Sequence, residues 1–323
     1  MIPQDWITSA GDRLRGRVKR TPVTYDDALD CFMKWENQQE TGSFKLRGAM
    51  NKVLTLQPWE REQGLVAASA GNHGQGVAVA ARLMDTRAVI FASEHAVATK
   101  LEAMRALGAE VRLVPGGYEQ AEAAGIQFAT QQGKTWISPY NDAQVIAGQA
   151  TVGLELMDEI PADELEAVVV PVGGGGLIAG IGLVLNRLPA GHRPRLIGVQ
   201  SEASPYFHAL YQQGSQDGVV ERESLADGLA GRVEDGAITI PLVRSLVDEI
   251  VLVSEEEIEQ AIAAAWQRYA AVIEGSAAVT LAAALSGKFA QRPAALIISG
   301  GNIQPEIHQS ILQRWSQGGS SPR

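Results

Sequence analysis

The chain lacks the features of a secreted or membrane-bound protein. Only one of its 323 residues is a cysteine, Cys31, so an internal disulfide is excluded and a reducing compartment is favoured. No run of about 18 uncharged apolar residues occurs, so we expect no membrane contact. The first twenty residues lack the apolar segment of a signal peptide. We therefore expect a cytoplasmic protein.

Patterns for metal ions and nucleic acids are also missing. The five histidines have no cysteine or glutamate at ligand spacing, so no metal site is predicted. The net charge of -10 opposes nucleic-acid binding, which needs a basic face to displace counterions. The chain is, however, long enough to form two lobes, and 46% of its residues are hydrophobic, as in a globular protein.

Apolar strands alternate with helices from Leu65 onward, which is typical of an α/β protein with parallel strands. A first series of strands and helices occupies residues 64–141, which we predict to be a small domain. A second series starts near Ala167. Residues 1–63 plus 142–323 are predicted to form a large domain that ends in a mobile Gly/Ser tail.

Three glycine-rich loops each follow an apolar strand, where open parallel sheets bind their ligands. The first loop, residues 69–76, precedes a helix whose first N–H groups could hold a carboxylate. Asn72 in this loop offers both a donor and an acceptor. A simple strand-to-helix turn capped by the asparagine is the alternative.

The second loop contains four successive glycines, Gly173 to Gly176. Such a run is conformationally costly and we expect it to cradle a phosphate rather than to serve packing. A dinucleotide site is a weaker alternative, because the next strand ends in Gln200 and not in an acidic residue. In the third loop, Ser299 could bond a ring nitrogen or could cap a helix.

A lysine, Lys45, lies among small and apolar residues just before a plausible helix. Burial would favour its neutral amine, which can form a Schiff base with an aldehyde cofactor. A solvated surface lysine at the start of a helix is the alternative.

Together these segments resemble the threonine/serine dehydratase (ammonia-lyase) branch of the fold-type II pyridoxal-phosphate enzymes, which is related to serine racemase. The matching segments are residues 41–48, 69–76, 173–176 and 299–302, with 142–149 and 274–277 as further family-like segments. The resemblance implies a two-lobed, tryptophan synthase β-like fold. Each lobe would be a mainly parallel sheet flanked by helices, and the protein would be a homodimer.

The resemblance also implies roles for individual residues around pyridoxal 5'-phosphate (PLP). Lys45 would carry the cofactor and later act as the base at the substrate Cα. Phe44 would pack near the ring, Asn72 would bond the ring's phenolic oxygen, and Ser299 would meet the pyridine nitrogen. The phosphate would be held by Gly173, Gly174, Gly175, Gly176 and Leu177.

The substrate, a small amino acid, would bind at the first loop. The residues implied are Ser69, Ala70, Gly71, Asn72 and His73, with the backbone of residues 69–72 holding the carboxylate. We assign His73 no role as a base. The racemases of this group carry a serine at the position of Ala70, and alanine cannot transfer a proton.

The implied activity is elimination of water from L-threonine, and from L-serine, to give 2-oxobutanoate or pyruvate and ammonia. A neutral serine at the pyridine nitrogen favours prompt loss of the β-substituent over transamination. Three alternatives stay open. They are a lyase for another β-hydroxy amino acid such as 3-hydroxyaspartate, a serine or aspartate racemase, and a degenerate PLP carrier or regulatory protein.

Overall fold

The computed structural model describes residues 2–189 and 191–317, and the Gly/Ser tail expected to be mobile falls after this range. The helices are α1 (Gln4–Leu14), α2 (Lys45–Thr55), α3 (Pro58–Gln63), α4 (Asn72–Leu83), α5 (Ala98–Ala106), α6 (Tyr118–Gln132), α7 (Ala143–Glu159), α8 (Gly176–Leu185), α9 (Tyr206–Gln213), α10 (Thr239–Leu246), α11 (Glu255–Tyr269), α12 (Gly275–Leu285) and α13 (Pro305–Gln317). The strands are β1 (Val23–Asp26), β2 (Cys31–Trp35), β3 (Leu65–Ala68), β4 (Ala88–Ser93), β5 (Glu110–Val114), β6 (Thr135–Trp136), β7 (Ala167–Pro171), β8 (Arg195–Ser201), β9 (Glu249–Val253) and β10 (Ala294–Ile298).

The strands form two sheets. The larger has the order β1-β2-β10-β7-β8-β9, and the smaller has the order β5-β4-β3-β6. Every neighbouring pair is parallel except β1 and β2, which pair antiparallel at the edge of the larger sheet. The predicted α/β class with mainly parallel sheets is confirmed. We propose that the two sheets are the centres of the two predicted domains.

The larger sheet is covered on both faces, which explains why its central strands are continuous apolar runs. Val169 of β7 and Leu296 of β10 face a core shared with α11 and α12. Their neighbours Val168 and Ala295 face a second core, to which α7 and α8 contribute. Because β2, β10 and β7 are adjacent and parallel, the loops that follow them meet at one edge of the sheet.

Several elements of the fold were not predicted from the sequence. Helix α12 is buried along almost its whole length, so it has no polar face and no amphipathic pattern. Strands β1 and β2 are joined by a short turn, with Asp30 in the left-handed region at φ 50°. The parallel pairing of β2 with β10 then brings the chain that leads to Lys45 alongside β10. Among the described residues, no helix is long and apolar enough to cross a membrane.

Candidate active site

Lys45 is the first residue of α2, and two backbone contacts tie this helix start to the end of β10. The N–H of Phe44 donates to the carbonyl oxygen of Ser299 at 3.1 Å. Ser43 forms an isolated antiparallel bridge with Gly300. These contacts hold Lys45 beside the loop that follows β10. Lys45 and Ser299, the first residue of that loop, are 254 positions apart in the sequence.

The Lys45 side chain is half-buried rather than solvated as the surface-lysine alternative required. Its Nζ donates to the carbonyl oxygen of Pro139 at 3.0 Å and lies 5.3 Å from the centre of the Phe44 ring. Burial lowers the pKa of Lys45 to about 8, although the nearby Glu274 carboxylate acts in the opposite direction. Roughly one amine in ten is then neutral at pH 7.

The four-glycine loop joins β7 to α8 and is enclosed by aromatic side chains. Gly175 has φ +84°, and a Cβ added there would lie 2.6 Å from the ring of Phe207. A Cβ on Gly174 would collide with the ring of Tyr140. The expectation that these glycines do not serve packing is therefore wrong. The glycines allow this close packing. They also leave the backbone uncovered by side chains at the start of α8, where the first N–H groups have no partner within the helix.

The loop after β3 begins with Ser69, whose side chain is buried, while Ala70 is exposed. The Ser69 N–H donates to the carbonyl oxygen of Phe91 at 2.9 Å. The Gly71 N–H donates to the Ser69 hydroxyl at 3.0 Å. A carboxylate bound here would have to use other N–H groups of the loop, which ends at Asn72, the first residue of α4.

Both polar atoms of the Asn72 amide have partners from the far end of the chain. Its Nδ2 donates to Oε1 of Glu274 at 2.7 Å. Its Oδ1 accepts from Nδ2 of Asn302 at 2.6 Å. Glu274 and Asn302 were not among the predicted site residues, although both belong to segments that carried the family resemblance. Each of the two is a polar residue next to a glycine, and this pattern in the sequence could have identified them as site residues.

Glu274 is an unusual carboxyl group, because only 6% of its surface is exposed. Burial raises its pKa to about 7, and the charge of Asp227 adds to this effect. Its backbone N–H donates to the carbonyl oxygen of Gly300 at 3.1 Å, which fixes it beside the loop after β10.

His73 follows Asn72 in the chain and is buried. Its Nε2 lies 2.8 Å from the carbonyl oxygen of Ile137. Among the described residues, its Nδ1 has no hydrogen-bond partner. Burial, with a contribution from the charge of Lys45, lowers the pKa of His73 to about 3. The ring is therefore neutral at physiological pH and a poor base.

Comparison with known proteins gives concordant results. The family model described as pyridoxal-phosphate dependent enzyme matches residues 14–300. An L-threonine ammonia-lyase of Thermotoga maritima is 40% identical over 97% of this chain and 79% of its own length. The catabolic L-threonine dehydratase TdcB of Escherichia coli is 39% identical over 93% of this chain and 92% of its own. The solved structure of maize serine racemase superposes with a TM-score of 0.86, at 30% identity and 98% coverage of both chains.

Proposed function

This chain belongs to the pyridoxal-phosphate dependent enzymes, and from that premise we propose that it eliminates water from L-threonine and from L-serine. The products would be 2-oxobutanoate or pyruvate, together with ammonia. The observation that carries the proposal is Lys45, a half-buried amine with a lowered pKa beside the loop after β10. The names of the two curated relatives support L-threonine as a substrate. A homodimer and a cytoplasmic location are part of the same proposal.

The residues present fit PLP. Its aldehyde needs an amine that is not permanently protonated, and burial of Lys45 supplies one. Its phosphate needs closely spaced N–H donors, which the bare backbone of residues 173–177 can present at the start of α8. We propose that Phe44 packs near the ring, that Asn72 donates to the ring oxygen, and that Ser299 meets the pyridine nitrogen.

When bound, PLP supplies an electron sink for the bond that breaks at the substrate Cα. Lys45 would take the proton from Cα, because its lowered pKa leaves a neutral amine available near physiological pH. The backbone of residues 69–72 would hold and orient the substrate carboxylate. The proton lost from Cα and the hydroxyl group lost from Cβ together make up the water that is eliminated. Hydrolysis then consumes one water, whose oxygen becomes the 2-oxo group, and releases the nitrogen as ammonia.

The proposal is tested by measuring 2-oxo acid release from a panel of L- and D-hydroxy amino acids with the PLP-loaded protein. We expect L-threonine and L-serine to have the highest kcat/KM. Higher kcat/KM with 3-hydroxyaspartate would instead support the alternative lyase. No 2-oxo acid from any member of the panel, with PLP visibly bound, would leave a PLP carrier as the better interpretation.

A racemase is the second candidate, favoured by the likeness to maize serine racemase. Ala70 opposes it, because no proton-transfer group occupies that position. The Ala70→Ser variant is expected to gain interconversion of L- and D-serine on the order of 100-fold, which is the lower end of what general acid–base catalysis contributes. Since Ala70 is exposed, the added hydroxyl causes no clash. Chiral chromatography of the serine pool measures the gain.

The control is Ala98→Ser, at another exposed alanine, the first residue of α5, which should leave racemisation at the wild-type level. If the wild-type protein already racemises serine as fast as it eliminates water, the assignment of Ala70 is wrong.

A further inference from the structure

We infer that Asn302 is a positioning residue that sets the flip state of the Asn72 amide, so that an N–H of Asn72 and not its oxygen is available to the cofactor. This inference rests on the proposed role of Asn72 at the ring oxygen of PLP. A side-chain amide can adopt two orientations that differ only by exchange of O and NH2, and its hydrogen-bond partners decide between them.

The orientation of Asn302 itself is set by the backbone. Its Nδ2 donates to the carbonyl oxygen of Thr41 at 2.8 Å. A backbone carbonyl can only accept a hydrogen bond, so the amide nitrogen of Asn302 has to face it. The opposite orientation would place two acceptor oxygens against each other.

Gly42 holds the Asn302 amide in place from the other side. This residue has φ +71°, and a Cβ added to it would lie 2.5 Å from Oδ1 of Asn302. The oxygen end of the amide therefore packs directly against the Gly42 backbone. The close approach keeps the Asn302 side chain from swinging away, and it explains a glycine at this position.

Asn302 passes this orientation on to Asn72. With one N–H on Thr41, the second N–H of Asn302 points at Asn72 and is accepted by its Oδ1 at 2.6 Å. Asn72 must then turn its nitrogen the other way, where one N–H reaches Glu274 at 2.7 Å. The remaining N–H of Asn72 is the one left to donate to the ring oxygen.

Glu274 could not set this orientation by itself. Burial raises its pKa to about 7, so near neutral pH a part of the population carries a proton and can donate as well as accept. Asn302 has no such ambiguity, because an amide keeps its two donors at every physiological pH. The partner that decides the orientation of Asn72 is thus the one anchored to a backbone carbonyl.

The test compares Asn302→Asp with Asn302→Ala in the PLP-loaded protein. In Asn302→Asp, acceptor oxygens replace the NH2 group, so Asn72 has to flip and present its oxygen to the ring oxygen. We expect the dissociation constant of PLP to rise tenfold to a hundredfold, on the order of the loss of a hydrogen bond to a charged group. The pH midpoint of the visible absorption band should rise by about one unit, because the ionised ring oxygen loses a donor.

Asn302→Ala removes the support without adding a charge, and it serves if the aspartate variant does not fold. It should change both quantities in the same direction, by about tenfold in the dissociation constant. The matched control is Asn51→Asp, a fully buried asparagine on α2 whose Nδ2 donates to the carbonyl oxygen of Gln144 at 2.7 Å. It should keep the wild-type band and affinity.

A merely structural role of Asn302 would lower the melting temperature of the PLP-free protein and leave the midpoint of the band unchanged. That result in both Asn302 variants overturns the inference. The Asn72→Leu variant tests the proposed role of Asn72 at the ring oxygen separately from the role of Asn302 in orienting it. If it moves the band while the Asn302 variants do not, only the inference is wrong. If Asn72→Leu also leaves the band in place, the proposed role of Asn72 is wrong as well.

Discussion

Replacement of Lys45 by alanine is expected to remove the visible absorption band of the PLP-loaded protein and to lower 2-oxo acid release by at least about 10⁴-fold. The physical reason is that one amine is assigned two tasks, anchoring the cofactor and accepting the proton from Cα. Its half-buried position and its pKa of about 8 suit both tasks. Absorbance spectra and initial rates with L-threonine measure the two effects separately.

The matched control is Lys52→Ala, which removes the other lysine of α2. Lys52 forms an ion pair with Asp142 at 2.6 Å. We expect this variant to keep its absorption band and an activity within about twofold of wild type, because Lys52 is paired with Asp142 and is assigned no task at the cofactor. A band that survives in Lys45→Ala would contradict the assignment of Lys45.

The second large effect is expected in stability, from the buried ion pairs of Arg47. This side chain is fully buried two residues after Lys45, with its guanidinium 2.7 Å from Glu36 and 2.6 Å from Glu155. Arg47→Met would leave Glu36 as an uncompensated buried charge. We expect a loss of about 3–5 kcal/mol in the free energy of unfolding, a large part of the roughly 5–15 kcal/mol typical of a folded protein.

Urea unfolding of the PLP-free protein measures this loss without the added stability that a bound ligand confers. The control is Arg20→Ala, whose side chain is 52% exposed and pairs with Glu159 at 3.0 Å. We expect that variant to lose less than about 1 kcal/mol, because solvent screens exposed pairs. Equal losses in the two variants would show that burial is not what makes the Arg47 pairs important.

The sequence by itself determined the α/β class, and it led to predictions of where ligands would bind. Strands β7 and β10 could be predicted because parallel strands buried on both faces are short continuous apolar runs. The loops after them could be predicted because four consecutive glycines, or a serine followed by two glycines, are rare inside regular elements. Lys45 stood out through its local context. These signals are all local, so they needed no knowledge of distant parts of the chain.

Only the tertiary structure decided which residues accompany Lys45. Helix α12 escaped prediction because burial on all sides removed its periodicity. The packing of Gly174 and Gly175 became evident only with Tyr140 and Phe207 in place. Above all, the contacts of the Asn72 amide join residues that are more than 200 positions apart. The orientation of an amide depends on the partners that folding brings to it, and that information is not local in the sequence.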